Sequence, residues 1–349
     1  MARNKSSKKV SMNDIAKKLN ISKNTVSLAF RGVPCINQNT RNLILKTARE
    51  LGYEYKKSPS TKRDTSTTSR NICLIMSSSE KNRVSFFSYI QYGIEAEAKK
   101  NNLNTILYYL NESDTNNDIP LCIKDGIASG ILTLGNFDKN QIYTILNYGL
   151  PTVIIDQYFD DIPAHYVLTD NISSAYIATK FLVECGHRNI GFCGNIHRAS
   201  SFYDRYLGFV KAMRYFNITQ DVYEKYCILN SDFQKIVHKD ISLAINRIRS
   251  LPALPTAFFC CNDTEAVALY KIFEEIKVNI PKDISIMGFD NDFFSTRVSP
   301  ELTTMNVNKE YTGARAVQLL MDIMNGATNL FQKIAITANL IQRQSVDII

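Results

Sequence analysis

The chain has 349 residues, 41 Lys+Arg against 33 Asp+Glu, a formal charge of +8 and 45% hydrophobic residues. This ordinary globular composition gives room for two or three domains at ~150 residues each and enough apolar material for their cores, which excludes general disorder. No run approaches the ~18 uncharged apolar residues of a membrane-spanning helix, and the basic start MARNKSSKKV lacks the apolar stretch of a secretion signal, so a cytoplasmic protein with no membrane partner is expected.

The charge is concentrated at the N-terminus. Residues 1–70 hold 16 Lys+Arg and 4 Asp+Glu, or +12, while the other 279 residues hold 25 and 29, or −4. A basic head on a mildly acidic body suits a polyanionic partner, although a solubilising tail has the same signature. The head also carries helix signals. Ser11 is placed to cap a helix with Asp14 at its third position, and Ile15, Ala16 and Leu19 follow as an apolar stripe. Asn20-Ile21 breaks the pattern, and Ser22 caps a second short helix to about Phe30 with Val26 and Ala29 inward. Asn37 caps a third helix to about Leu51, with Leu43, Leu45 and Ala48 as its apolar positions and Gly52 as its stop. Two short helices and a packing helix make a helix-turn-helix, whose second helix meets the DNA major groove with its first residues. Here those are Lys23, Asn24 and Thr25. Lysine donates to guanine and asparagine pairs with adenine, while Arg31 and Arg41 suit phosphates.

Residues 58–70, SPSTKRDTSTTSR, form a polar linker. Beyond it, apolar strand-like stretches at 71–76, 104–109, 130–134, 151–155, 189–193, 256–261 and 284–289 alternate with amphipathic helix patterns at 86–100, 138–148, 172–185, 202–216, 233–249, 263–277 and 309–324. Such alternation predicts parallel sheets covered by helices, with ligands at the carboxyl ends of the strands. Ser79, Asp156, Asn262 and Asp290 lie at or just after those ends, and Arg205 lies in a helix pattern. Asp170 and Asp263 are expected to cap the helices they precede. The eight cysteines have no zinc-ribbon spacing and read as buried thiols. The four histidines have no metal-ligand spacing either, so no metal or cofactor is expected. No nucleophile elbow, phosphate loop or dinucleotide fingerprint is present, which weighs against an enzyme. A solute receptor, or an α/β sugar- or nucleotide-processing enzyme with a basic extension, stays as the alternative.

The segment from Val10 to Tyr53 resembles the DNA-binding head of the lactose-repressor/galactose-repressor (LacI/GalR) family of bacterial regulators, through Asp14, Ile15, Ala16, Ser22, Thr25, Val26, Ser27, Thr40, Arg41, Glu50, Leu51, Gly52 and Tyr53. The resemblance continues through Pro151–Asp156, Arg205–Phe209, Ala257–Asp263 and Asp283–Asp290. It implies an α/β fold: a small all-α helix-turn-helix head (1–57), a linker or hinge (58–70) and a periplasmic-binding-protein-like core (71–349). That core would comprise two α/β subdomains with parallel sheets, about 71–168 plus 292–325 and 169–291 plus 326–349. It further implies a homodimer on a pseudo-palindromic operator, with Ser11, Ser22, Lys23, Asn24, Thr25, Ser27, Arg31, Arg41 and Lys62 at the double-stranded DNA. A small-molecule effector, a sugar or sugar derivative, would be held by Ser79, Phe87, Asp156, Arg205, Asn262 and Asp290, with Phe86 or Phe202 also able to cover a sugar face. Two features depart from the pattern. Leu28 stands where the family often has arginine. Pro59 and Lys62 fall where a hinge helix would carry a leucine wedge, so weak hinge intercalation is expected.

Overall fold

The computed structural model describes residues 10–19, 21–22, 25–26, 29–30, 38–53, 71–78, 86–111, 119–230, 232–328 and 330–349. The hinge residues Pro59 and Lys62, and Leu28, lie outside these residues.

In the head, α1 (Met12–Leu19) starts at Ser11. There the Asp14 carboxylate accepts from the Ser11 backbone N–H at 2.8 Å and from its hydroxyl at 2.7 Å, so the acid does much of the capping. Ser22 Oγ accepts from the Thr25 N–H at 3.0 Å, the expected cap of the second helix, where Thr25, Val26, Ala29 and Phe30 are helical. The third helix, α2 (Gln38–Glu50), ends at Gly52, whose φ of +68° lets the Tyr53 N–H close on the Ala48 carbonyl at 2.9 Å. Ile15, Ala16, Val26, Ala29, Ile44 and Ala48 form the small buried core. Leu43 and Leu45 were expected to supply α2's inner face, but Ile44 does so and Leu43 is 52% exposed. One residue turns a helix by about 100°, and the packing of Val26 and Ala29 selects the Ile44–Ala48 pair, spaced i, i+4.

The core contains two sheets. The first has strand order β10-β5-β4-β3-β1-β2, all parallel, from β1 (Asn71–Ser77), β2 (Asn104–Leu110), β3 (Gly130–Leu134), β4 (Thr152–Ile155), β5 (His165–Thr169) and β10 (Lys333–Ile336). The second has order β11-β9-β8-β7-β6, from β6 (Ile190–Cys193), β7 (Ala257–Cys260), β8 (Ser285–Asp290), β9 (Thr303–Asn306) and β11 (Asn339–Ile341), with only β11 antiparallel. The apolar runs of β1 and β3 are buried throughout, Leu74 pairing with Leu107 and Leu132, as strands covered on both faces require. Helices α3 (Phe86–Lys100), α4 (Lys139–Leu146), α5 (Asn171–Glu184), α6 (Ser200–Tyr215), α9 (Asp263–Glu275) and α10 (Lys309–Met324) match the predicted amphipathic segments within a few residues. The predicted 233–249 helix is instead two, α7 (Phe233–Lys239) and α8 (Ile241–Arg249), because Asp240 is extended and its side chain caps α8 at the Ser242 N–H, 2.9 Å.

The lobe boundaries differ from those drawn on the sequence. Strand β9 pairs with β8, so 292–306 belongs to the second lobe. Strand β10 pairs with β5, so the segment containing Lys333–Ile336 belongs to the first. The chain therefore passes between lobes near 170, 307 and 337. Each lobe has a close helix pair set by glycine. A Cβ on Gly93 of α3 would land on the Glu310 carbonyl oxygen of α10, one on Gly313 would land on that of Ile90, and one on Gly208 of α6 would land on the Ile172 carbonyl of α5. Alanine in a helix normally stabilises by ~0.5–1 kcal/mol over glycine. Here Gly93→Ala is expected to destabilise by ~1–3 kcal/mol through overpacking, read as a lower urea midpoint at unchanged slope.

Candidate functional site

The ends of β3, β4, β7 and β8 face a cleft between the lobes, as in open α/β sheets generally. A cavity of about 550 Å³ there is lined from the first lobe by Phe86, Phe87, Tyr89, Asn136 and Asp156, and from the second by residues including Arg205, Asn262 and Asp290. Five of the six effector residues expected from sequence thus line one cavity. The sixth, Ser79, lies outside the described residues.

Arg205 is the most constrained of them. It projects from α6, is 2% exposed, and its guanidinium lies 3.8 Å from the centre of the Phe289 ring. Its Nε donates to Asn171 Oδ1 at 2.9 Å and Nη1 to the Cys261 carbonyl at 2.6 Å, while Nη2 sits 3.0 Å from Asp290 Oδ1. That last contact is a buried ion pair. Asp290 ends β8 with φ of +113° and Asn291 follows at +50°, a tight left-handed turn that aims the carboxylate at the cavity. Burial raises the Asp290 carboxyl above the ordinary range, with Arg205 and Lys309 opposing it. The Asp156 backbone is also left-handed, φ +62°, directly after β4.

Asn262, not Asp263, caps α9. Its Oδ1 accepts from the Glu265 N–H at 2.9 Å and from Thr264 Oγ1 at 3.0 Å, and the residue lines the cavity. Asp263 is instead fully buried, bonded to Thr304 Oγ1 and the Asp292 N–H, each at 2.6 Å. Burial, then the nearby Asp290, pushes its carboxyl up to about 8; burial, then Asp232, does the same for Glu265. Both are protonated in the folded core, and ionised in the unfolded chain, between pH ~4 and ~8. Stability therefore falls as pH rises through that window and levels off above it. Urea midpoints across pH 5 to 8.5 should show the decline, and Asp263→Asn should flatten it. Asp170 caps α5 as expected, accepting from the Ser173 N–H at 3.1 Å, and the Gly186-His187 turn is structural, His187 Nδ1 lying 2.9 Å from Thr256 Oγ1.

Sequence reasoning did not find Lys309. It starts α10 in the first lobe, is 5% exposed, and its ammonium donates to the Asp290, Asn291 and Val307 carbonyls. It pins the left-handed turn that carries Asp290 and neutralises the cluster of carbonyls there. Asn171, which orients Arg205, was also missed, as was the Arg198–Asp232 pair (3.1 Å) at the cavity wall. Among the described residues no three His, Cys, Asp or Glu side chains are grouped to hold a metal ion, and no helix is long and apolar enough to cross a membrane.

In the head, Ser11, Ser22, Thr25 and Arg41 are described. The Ser11 and Ser22 hydroxyls sit at helix N-termini, where backbone N–H groups favour phosphate, and Ser22 Oγ lies 2.8 Å from Thr25 Oγ1. Lys23, Asn24, Ser27, Arg31 and Lys62 lie outside the described residues.

Residues 11–55 match the family model for bacterial regulatory proteins of the lacI family, and residues 179–346 match that for a periplasmic binding protein-like domain. The chain thus joins a lacI-family DNA-binding head to a periplasmic binding protein-like domain. Among its relatives, the HTH-type transcriptional repressor PurR of Pasteurella multocida (strain Pm70) is 28% identical over 340 residues, covering 95% of this chain and 97% of that protein. Among solved structures, the transcriptional regulator CelR–cellobiose complex aligns with TM-score 0.70 at 20% identity, covering 96% and 99% of the two chains. The lac repressor dimer bound to operator and the anti-inducer ONPF aligns with TM-score 0.66 at 18% identity, covering 97% and 100%. These likenesses extend the LacI-family fold over both head and core. The periplasmic-binding-like match contains Arg205, Asn262 and Asp290, while Phe87 and Asp156 lie before it.

Proposed function

We propose that this LacI-family chain is a sequence-specific transcription regulator, a repressor, whose affinity for operator DNA is set by a sugar or sugar derivative in the cavity between the lobes. The observation that carries the reading is the junction, in one chain, of a helix-turn-helix head and a cleft where Arg205, Asp290, Asn262 and Asp156 converge beside Phe86, Phe87 and Phe202. Fixed donors and acceptors beside aromatic faces suit a polyhydroxylated ring. The repressor, sugar-complex and operator-bound dimer relatives support the same reading. The chain acts as a cytoplasmic homodimer that presents two heads to a pseudo-palindromic operator, with Lys23, Asn24, Thr25 and Ser27 toward base edges and Ser11, Ser22, Arg31 and Arg41 toward phosphates. Lys62 joins the phosphate contacts from the linker. Its work is binding, not catalysis.

The effector changes the angle between the lobes and thereby the operator affinity, through its different affinity for the two arrangements. To test the DNA contacts, an operator is selected from random duplexes and the head substituted. Lys23→Ala and Asn24→Ala should each cost ~1–3 kcal/mol and relax base preference at one position. Wild-type binding and preference in both variants would remove these residues from the groove.

A further inference from the structure

The two cleft walls are joined by a contact that involves none of the proposed effector residues. Tyr158 lies in the loop after β4, two residues beyond Asp156, and Lys333 is the first residue of β10; both belong to the first lobe. Asp204 lies on α6 of the second lobe, next to Arg205, and is 8% exposed. The Tyr158 hydroxyl donates to Asp204 Oδ1 at 2.9 Å, and the Lys333 ammonium sits 3.4 Å from the centre of the Tyr158 ring. Asp160 and Arg205 are the other charges near the Asp204 carboxylate, and the Arg205 guanidinium is already held by Asn171, Cys261 and Asp290.

We propose that Tyr158, Asp204 and Lys333 form a latch that holds the two lobes closed over the cavity, a proposal that rests on the lobe movement argued above. Closure takes the Asp204 carboxylate out of water, and a buried carboxylate needs a donor. Among the described residues that donor is the Tyr158 hydroxyl. Burial raises the Asp204 carboxyl above the ordinary range, and it outweighs the opposing pull of Tyr158, Lys333 and Arg205. The charge therefore works against closure, while the hydrogen bond and Lys333 work for it. Such a balance can be tipped by a ligand that touches Asp156 on one wall and Arg205 on the other.

The latch predicts that two substitutions differ in direction. Tyr158→Phe strands the carboxylate when the lobes close but lets water reach it when they part, so the open-to-closed ratio should rise by roughly ten-fold or more. Asp204→Asn keeps an acceptor for Tyr158 and removes the buried charge, so the lobes should stay closed at least as much as in wild type. Both are measured on the full chain by pulsed dipolar EPR, with spin labels introduced through non-natural residues at Leu121 of the first lobe and Leu243 of the second, each well exposed. A longer distance in Tyr158→Phe and an unchanged or shorter one in Asp204→Asn is the expected result. Two distances in wild type whose ratio neither variant moves would overturn the latch alone, as would equal opening in both variants, which marks a merely structural contact. A single distance in all three proteins that no sugar shifts would overturn the latch together with the lobe movement beneath it.

Discussion

Arg205→Met is expected to lower the stability of the core by about 3–5 kcal/mol and to abolish binding in the cleft. The stability effect does not come from lost attraction alone. Arg205 and Asp290 are both buried, and a buried ion pair gains little over an apolar pair of the same volume. Removing one partner is different, because the buried Asp290 carboxyl loses its counter-charge, and Asn171 Oδ1 and the Cys261 carbonyl lose their donor. Asp290→Asn should be milder, since the amide oxygen still faces Arg205 and the guanidinium keeps its Asn171 and Cys261 acceptors. Urea unfolding of the two variants checks the order. Equal losses would mean that Arg205 contributes through volume rather than charge.

Ile44→Asp is expected to unfold the head and eliminate operator binding while leaving the core's melting temperature unchanged. Among the described residues the head's core holds six buried side chains, and Ile44 is the largest of them on α2. An uncompensated carboxylate there costs more than about 4 kcal/mol, a large share of what so small a domain commands. Circular dichroism and operator titration read the head, and calorimetry reads the core. Retained operator binding would show that the helix-turn-helix core is not built around Ile44.

The features that sequence disclosed are those with short-range causes. The amphipathic period set α3 and α10, the apolar runs set β1 and β3, and Ser22 and Asp170 marked helix starts by a bond three residues away. The strand-end positions of Asp156 and Asp290 were legible because ligands gather where parallel strands end. What escaped depends on partners far along the chain. Strand β9 reads TTMN and looks like a turn, yet Thr303 and Thr304 are fully buried because Ser345 and Asp263 satisfy them across some forty residues. Lys309 opens a predicted helix, and only the distant Asp290 and Asn291 carbonyls around its ammonium mark it as a buried cation. Asn262 and Asp263 are adjacent and both can cap. Only the extended backbone of Asn262 (φ −158°, ψ 173°) and the burial of Asp263 against Gly288 decide between them. The β5 segment, HYVLT, mixes a histidine and a tyrosine into an apolar run and was passed over, although all five residues are buried.

The most direct test of the account is a titration of selected operator DNA with wild type and Asp290→Asn, each with and without members of a panel of free sugars, sugar phosphates, nucleosides and purines. One sugar or sugar derivative is expected to change wild-type operator affinity by about 5- to 150-fold, the range of allosteric coupling, and to leave Asp290→Asn unmoved. Operator affinity that no such compound alters, or that shifts equally in both proteins, would contradict control through the cleft.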